Sequence, residues 1–88
     1  MTETALVIKI KKHIETRCPG AIVIKMHGSP MMPRGLPDLL ILHNGNSLFV
    51  EVKLPGRKLT RIQSHWIDRL LSAGIVAGVV TGVEDVDI

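Results

Sequence analysis

Apolar residues recur at a helical spacing near the start of the chain. Leu6, Ile10 and Ile14 fall every four residues, with Val7 beside them, which predicts a helix over residues 2 to 17. Thr2 is a suitable cap, and Pro19-Gly20 breaks the pattern. Ala5 to Lys11 also alternates in part, as a strand would, but the length of the run and its lack of turn residues favour the helix. Ala21 to Met26 is short, apolar and rich in β-branched residues, and reads as a strand. His27 to Pro37 holds three prolines and two glycines in eleven residues, which makes a loop. Leu39 to Leu42 and Leu48 to Val52 are two more strands, joined through Asn44-Gly45, a hairpin signal. After Leu54-Pro-Gly56 a second helix is expected. Thr60 and Gln63 have capping-box spacing, and Ile62, Trp66 and Leu70 form its stripe, with Ile67 and Leu71 alongside. Gly74 ends it, Ile75 to Val80 is a last strand, and Val83 to Ile88 suits the start of a short helix. The order αβββαβ implies an α/β fold, a mixed sheet flanked by helices.

The 88 residues are one domain's worth, 1–88, and two aromatics, Phe49 and Trp66, leave the core to Ile, Val and Leu. A core this small often gains stability from a partner subunit. The net charge of +3 permits a polyanionic partner without demanding one. Its distribution says more. Lys9, Lys11, Lys12 and Arg17 stand against Glu15, and Lys53, Arg57, Lys58, Arg61 and Arg69 stand against Asp68. Two solvated helix faces would carry the same charges. Cys18 is the single cysteine, so neither an internal disulfide nor a cysteine zinc cluster is expected, and a reducing compartment fits. The opening residues lack a basic leader and the first apolar run is broken at Lys9, so no signal peptide, membrane span or membrane partner is expected. His13, His27, His43 and His65 share no metal-cluster spacing.

The hairpin allows a geometric argument. A two- or four-residue loop on Asn44-Gly45 sets His43 opposite Asn46, Leu40 opposite Phe49 and Asp38 opposite Glu51. Opposed residues have Cβ atoms about 5 Å apart on one face, and Lys53 lies on that face again. Leu40, Leu42 and Phe49 continue the face as core. An odd-length loop would spoil this register. Two carboxylates so close repel unless a cation separates them. Oxygen ligands suit Mg²⁺, and a lysine beside them can orient a water or stabilise phosphate charge. The competing account makes Glu51 and Lys53 polar residues of an exposed strand, but apolar neighbours on the same face weigh against it.

Gly35-Leu-Pro-Asp38 followed by Glu51-Val-Lys53 resembles the PD-(D/E)xK nuclease signature, and over about residues 3 to 80 the chain is similar to its VRR-NUC (virus-type replication-repair nuclease) branch. The resemblance implies a restriction-endonuclease-like core and an Mg²⁺-dependent deoxyribonuclease, with Mn²⁺ a substitute. It implies that Asp38, Glu51 and the backbone carbonyl of Val52 are metal ligands and Lys53 the catalytic lysine. Glu3 matches the family's N-terminal acidic residue at the metal, and Gln63 matches its glutamine near the site. The sequence itself also allows Glu3 to be a residue that favours a helix start, and Gln63 to be a capping residue. Small members resembling homodimeric Holliday-junction resolvases imply branched DNA, a homodimer, a role in DNA repair and a cytoplasmic setting in a bacterial or phage-infected cell. Arg34, His27, Lys58 and Arg61 are the expected DNA contacts, the last two at a helix start that attracts phosphate. Trp66, Leu70, Met31 and Met32 are the candidate dimer contacts, with the core as the alternative for Trp66. The competing functions are a non-catalytic nucleic-acid-binding module, or a nickase or exonuclease without junction specificity.

Overall fold

The computed structural model describes every residue except His27, Ser29, Asp87 and Ile88. Helix α1 spans Glu3–Arg17, as its apolar spacing predicts. Thr2 starts it by accepting the Ala5 N–H on its hydroxyl at 3.1 Å, which satisfies one of the unpaired donors of the first turn. Leu6, Val7, Ile10 and Ile14 are buried along one stripe. Strands β1 (Ile22–Lys25), β2 (Leu39–His43) and β3 (Asn46–Val52) follow, then helix α2 (Arg61–Ser72) and strand β4 (Val76–Val80). A single 3₁₀ turn covers Val83–Asp85, shorter than the helix its residues suggest. Asp85 ties it to the end of β4 by accepting both the N–H and the hydroxyl of Thr81.

The sheet order is β1-β2-β3-β4, antiparallel across the first two pairs and parallel between β3 and β4. The hairpin register is the one the Asn44-Gly45 turn predicts: His43 faces Asn46 and Leu40 faces Phe49. Both turn residues have positive φ, at 50° and 79°, the pattern that suits the twist of the flanking strands. The parallel step needs a crossover, and α2 supplies it.

The residues of each strand alternate between two faces. Val23, Leu39, Ile41, Val50, Val52 and Val80 form the main core with the four buried residues of α1. Here the sequence expectation is corrected. Leu40, Leu42 and Phe49 are only half-buried and lie outside that core. The reason is unequal cover: α1 contributes four buried residues to its cluster, whereas α2 buries Ile67 alone, outside the cluster.

Candidate active site

The second face of the sheet carries the acidic pair. Asp38 lies just before β2, and its carbonyl accepts the Met26 N–H at 2.7 Å, which extends the β1–β2 pairing by one step. Its side chain crosses to β3, where Oδ2 accepts the Val52 N–H at 2.8 Å. Asp38 and Glu51 share a side-chain hydrogen bond. Glu51 is 3% exposed and Lys53 7% exposed, the two buried charged residues among those described. Lys53 is fixed by its backbone, whose N–H donates to the Val80 carbonyl at 3.0 Å.

Burial pushes the Glu51 carboxyl up from its usual 4.5 to about 9. The hydrogen bond to Asp38 and the charge of Asp38 push the same way, Lys53 opposes, and Glu3 adds a smaller upward push. The rise favours the neutral form of Glu51 beside Asp38. A cation between the two carboxyls would relieve the repulsion that raises Glu51. This donor set, the half-buried Asp38, the buried Glu51 and an adjacent lysine, fits a divalent ion that keeps most of its own waters. Glu3 lies near enough for its charge to be felt at Glu51. Among the described residues, however, no group of three or more His, Cys, Asp and Glu side chains is poised around a single point.

The remaining expected residues separate into two groups. Gln63 completes the capping box: its Oε1 accepts the Thr60 N–H at 2.9 Å, while its own N–H donates to Thr60 Oγ1 at 3.2 Å. Lys58, Arg61 and Arg34 are exposed, Arg61 as the first residue of α2. His27 falls outside the described residues. A cavity of about 230 Å³ lies beside the Asp38 end of the sheet, lined in part by Met26, Met32, Arg34 and Gly35. Met31 is 93% exposed and Met32 half-buried. Trp66 is half-buried, with the Arg69 guanidinium 5.1 Å from its ring centroid and the His65 ring edge-on at 5.8 Å.

Two features escape a reading of the sequence. One is the Val52 N–H, whose bond to Asp38 makes a backbone group part of the site's scaffold. The other is Gly35, at φ 86°, where an added Cβ would stand 3.0 Å from both backbone and side chain of Ile62. The Pro-Asp loop thus rests directly on the first turn of α2. A glycine two residues before Pro37 is the only sequence signal for this, and it does not name its neighbour.

Comparison with known proteins agrees with this geometry. The family model of the VRR-NUC domain matches residues 5–84. A solved structure described as a VRR_NUC domain is similar at 28% identity, over 88% of this chain and 85% of that one, with a TM-score of 0.71. A second, described as a VRR_NUC domain protein, has the same fold at 20% identity, over 96% and 80% of the two chains, with a TM-score of 0.73. A comparison with curated proteins finds no match. With its family model spanning nearly the whole chain and its acidic pair and lysine gathered on one sheet face, the protein belongs to the VRR-NUC family of nuclease domains.

Proposed function

We propose that this nuclease is a divalent-metal-dependent endonuclease that hydrolyses DNA phosphodiester bonds, selects branched DNA such as Holliday junctions, and works as a homodimer. The observation that carries the metal-dependent part is the half-buried Asp38 hydrogen-bonded to the buried Glu51, with Lys53 buried beside them. A protein that only grips phosphate has no use for two carboxylates near its basic surface unless a cation neutralises them.

Asp38, Glu51 and the Val52 carbonyl would hold Mg²⁺, or Mn²⁺ in its place, with Glu3 as an outer carboxylate. The bound ion would supply Lewis-acid polarisation of the phosphate and a lowered water pKa. Glu51 must give up its proton before it ligates. Lys53 orients the attacking water and stabilises charge on the phosphate. Gln63, locked into its capping box, lines the approach. Arg34, Lys58, Arg61 and His27 take the DNA backbone, with α2 offering the N–H groups of its first turn. Branched substrates and the two-fold arrangement follow from the resemblance to small junction-resolving members, since paired sites in fixed symmetry suit paired incisions.

Incubation of the protein with a labelled junction, a nicked duplex and a plain duplex, in Mg²⁺, Mn²⁺ or EDTA, tests the proposal. Cleavage of the junction in either metal and none in EDTA is expected. Equal cutting of all three substrates would remove the branch selectivity. Binding without cutting in any metal would leave a non-catalytic nucleic-acid module.

A further inference from the structure

The loop between β1 and β2 does more than carry Asp38 to the sheet. Met26 and Asp38 continue the β1–β2 register, with the Met26 N–H donating to the Asp38 carbonyl at 2.7 Å. Opposed residues of an antiparallel pair point to one face with Cβ atoms about 5 Å apart, so Met26 stands beside the candidate metal ligand. The cavity of about 230 Å³ opens there. Met26 forms one wall, and Met32, Pro33 and Leu36 return from the loop to form others. Gly35 seats this part of the loop on Ile62, and the fully buried Pro37 anchors it just before Asp38. The Leu36 side of the cavity is therefore held by the fold.

Size and chemistry limit the occupant. An apolar cavity of about 150 Å³ is enough for benzene, and drug-sized ligands occupy about 300 Å³ or more. A cavity of about 230 Å³ suits one flat ring system and is too small for a helix or a strand. Among the described lining residues Arg34 carries the one charged side chain, and it is exposed. The other side chains there are apolar. Thioethers adapt to a ring, and a guanidinium pairs with phosphate, so the combination matches a nucleotide. Such walls grip a base by its faces and leave its edges unread, so base identity should matter little.

We infer that the cavity walled by Met26, Met32 and Leu36 receives a single unstacked nucleobase next to the scissile phosphate, with Arg34 on a neighbouring backbone phosphate. The inference rests on the nuclease reading above and gives its preference for branched DNA a physical source. Extruding a base from intact duplex costs unstacking and unpairing, and the cost is smallest where the base already lacks a partner. A cavity that rewards an extruded base favours a branch point over plain duplex.

Short DNA duplexes with one unpaired nucleotide test this in EDTA, where binding is read apart from metal-dependent cleavage. The unpaired position carries adenine, thymine, 2-aminopurine or no base. Burying about 60 Å² of base face is worth about tenfold in affinity. The full chain should bind each base-bearing duplex about tenfold more tightly than the abasic one, adenine and thymine alike. Emission from 2-aminopurine, quenched in the stack, should rise on binding. Met32→Glu should bring the affinity ratio close to one and abolish the rise, and the ratio cancels any shared loss of phosphate affinity. Met32→Leu should preserve both. Met32 is half-buried in a loop, so circular dichroism should be unchanged in either variant. Equal wild-type affinity for base-bearing and abasic duplexes would overturn the base site, whatever the cleavage assay in Mg²⁺ returns. A tenfold ratio without cleavage in any metal would keep the base site and overturn the nuclease reading. A dimeric wild type that Met32→Glu turns into a monomer, with the ratio lost, would overturn the base site in favour of a side chain from a second copy.

Discussion

The carboxylate of Asp38 accepts the backbone N–H of Val52 at 2.8 Å, so one side chain spans the mouth of the β2–β3 hairpin. That bond sets Asp38 against Glu51 and gives it a structural duty besides any ligation. The two duties are separable. Asparagine can still accept the Val52 N–H but lacks the charge, whereas alanine leaves that buried donor unpaired, at about 1–3 kcal/mol.

Asp38→Asn is therefore expected to keep the fold while losing Mn²⁺ affinity and cleavage, as is Glu51→Gln. Asp38→Ala should be less stable than Asp38→Asn by the cost of the orphaned N–H. Calorimetry with Mn²⁺ and chemical denaturation in EDTA check both halves. Unchanged metal affinity in both charge-neutral variants would take the pair out of the metal site.

The pH dependence follows from Glu51. Its folded-state carboxyl holds a proton up to about 9, while the unfolded chain loses the same proton near 4.5. Between those values the folded state binds more protons, so stability falls as pH rises. Below about 4.5 the penalty is absent. In EDTA, the wild type should lose stability across pH 4.5 to 9 relative to Glu51→Gln, and the variant should be the more stable of the two at pH 8. Mn²⁺ binding at neutral pH should release about one proton, read from calorimetry in buffers of different ionisation enthalpy. Equal slopes in the two proteins would show that Glu51 does not carry this burden.

Lys53→Ala should lower turnover on the junction by about 10²-fold or more and leave junction binding intact. Lys53 is only 7% exposed, so an effect through stability needs exclusion, and thermal unfolding of the same variant provides it. Near-normal turnover at saturating DNA would remove Lys53 from the chemistry.

Much of this arrangement is readable from local signals. Asn44-Gly45 sets the hairpin register, and register alone puts Asp38 opposite Glu51. Thr2 and Thr60 mark both helix starts. What sequence reading gets wrong is the core face. Leu40, Leu42 and Phe49 are as apolar as Leu39, Ile41 and Val50, so alternation shows two apolar faces without ranking them. The ranking comes from which helix covers which face, a long-range fact. Leu6, Val7, Ile10 and Ile14 all turn inward, whereas the equally apolar stripe of α2 leaves Ile62 and Leu71 exposed. The contact of Gly35 with Ile62 is hidden for the same reason, since it joins segments that nothing local connects.

That contact carries its own prediction. Gly35→Ala adds a Cβ at φ 86° and at 3.0 Å from Ile62, so the residue is strained and the loop must move off α2. A loss of about 1–3 kcal/mol is expected. Gly45→Ala is the comparison: it too has positive φ, but nothing lies within 4 Å of its added Cβ. Gly35→Ala should therefore lose cleavage in excess of its stability loss, and Gly45→Ala should not. Equal behaviour of the two variants would leave backbone strain as the whole effect and separate the loop's seat on α2 from the positioning of Asp38.

The last prediction concerns DNA contact at the start of α2. Arg61 is its first residue and Lys58 lies three residues before it, both exposed, in the turn where free N–H groups already favour phosphate. Such contacts act by displacing condensed cations from the duplex, so their signature is salt dependence rather than base preference. Lys58→Ala and Arg61→Ala should each weaken junction binding to a similar degree for different base sequences. Each should also lower the slope of log affinity against log salt by about one unit. The capping box does not involve the Arg61 side chain, so Arg61→Ala should leave α2 in place, which circular dichroism can check. A shift in base preference with the salt slope intact would mean that these side chains read base edges instead. An unchanged affinity with the slope also intact would place the DNA on another surface, with the basic loop around Arg34 the next to be substituted.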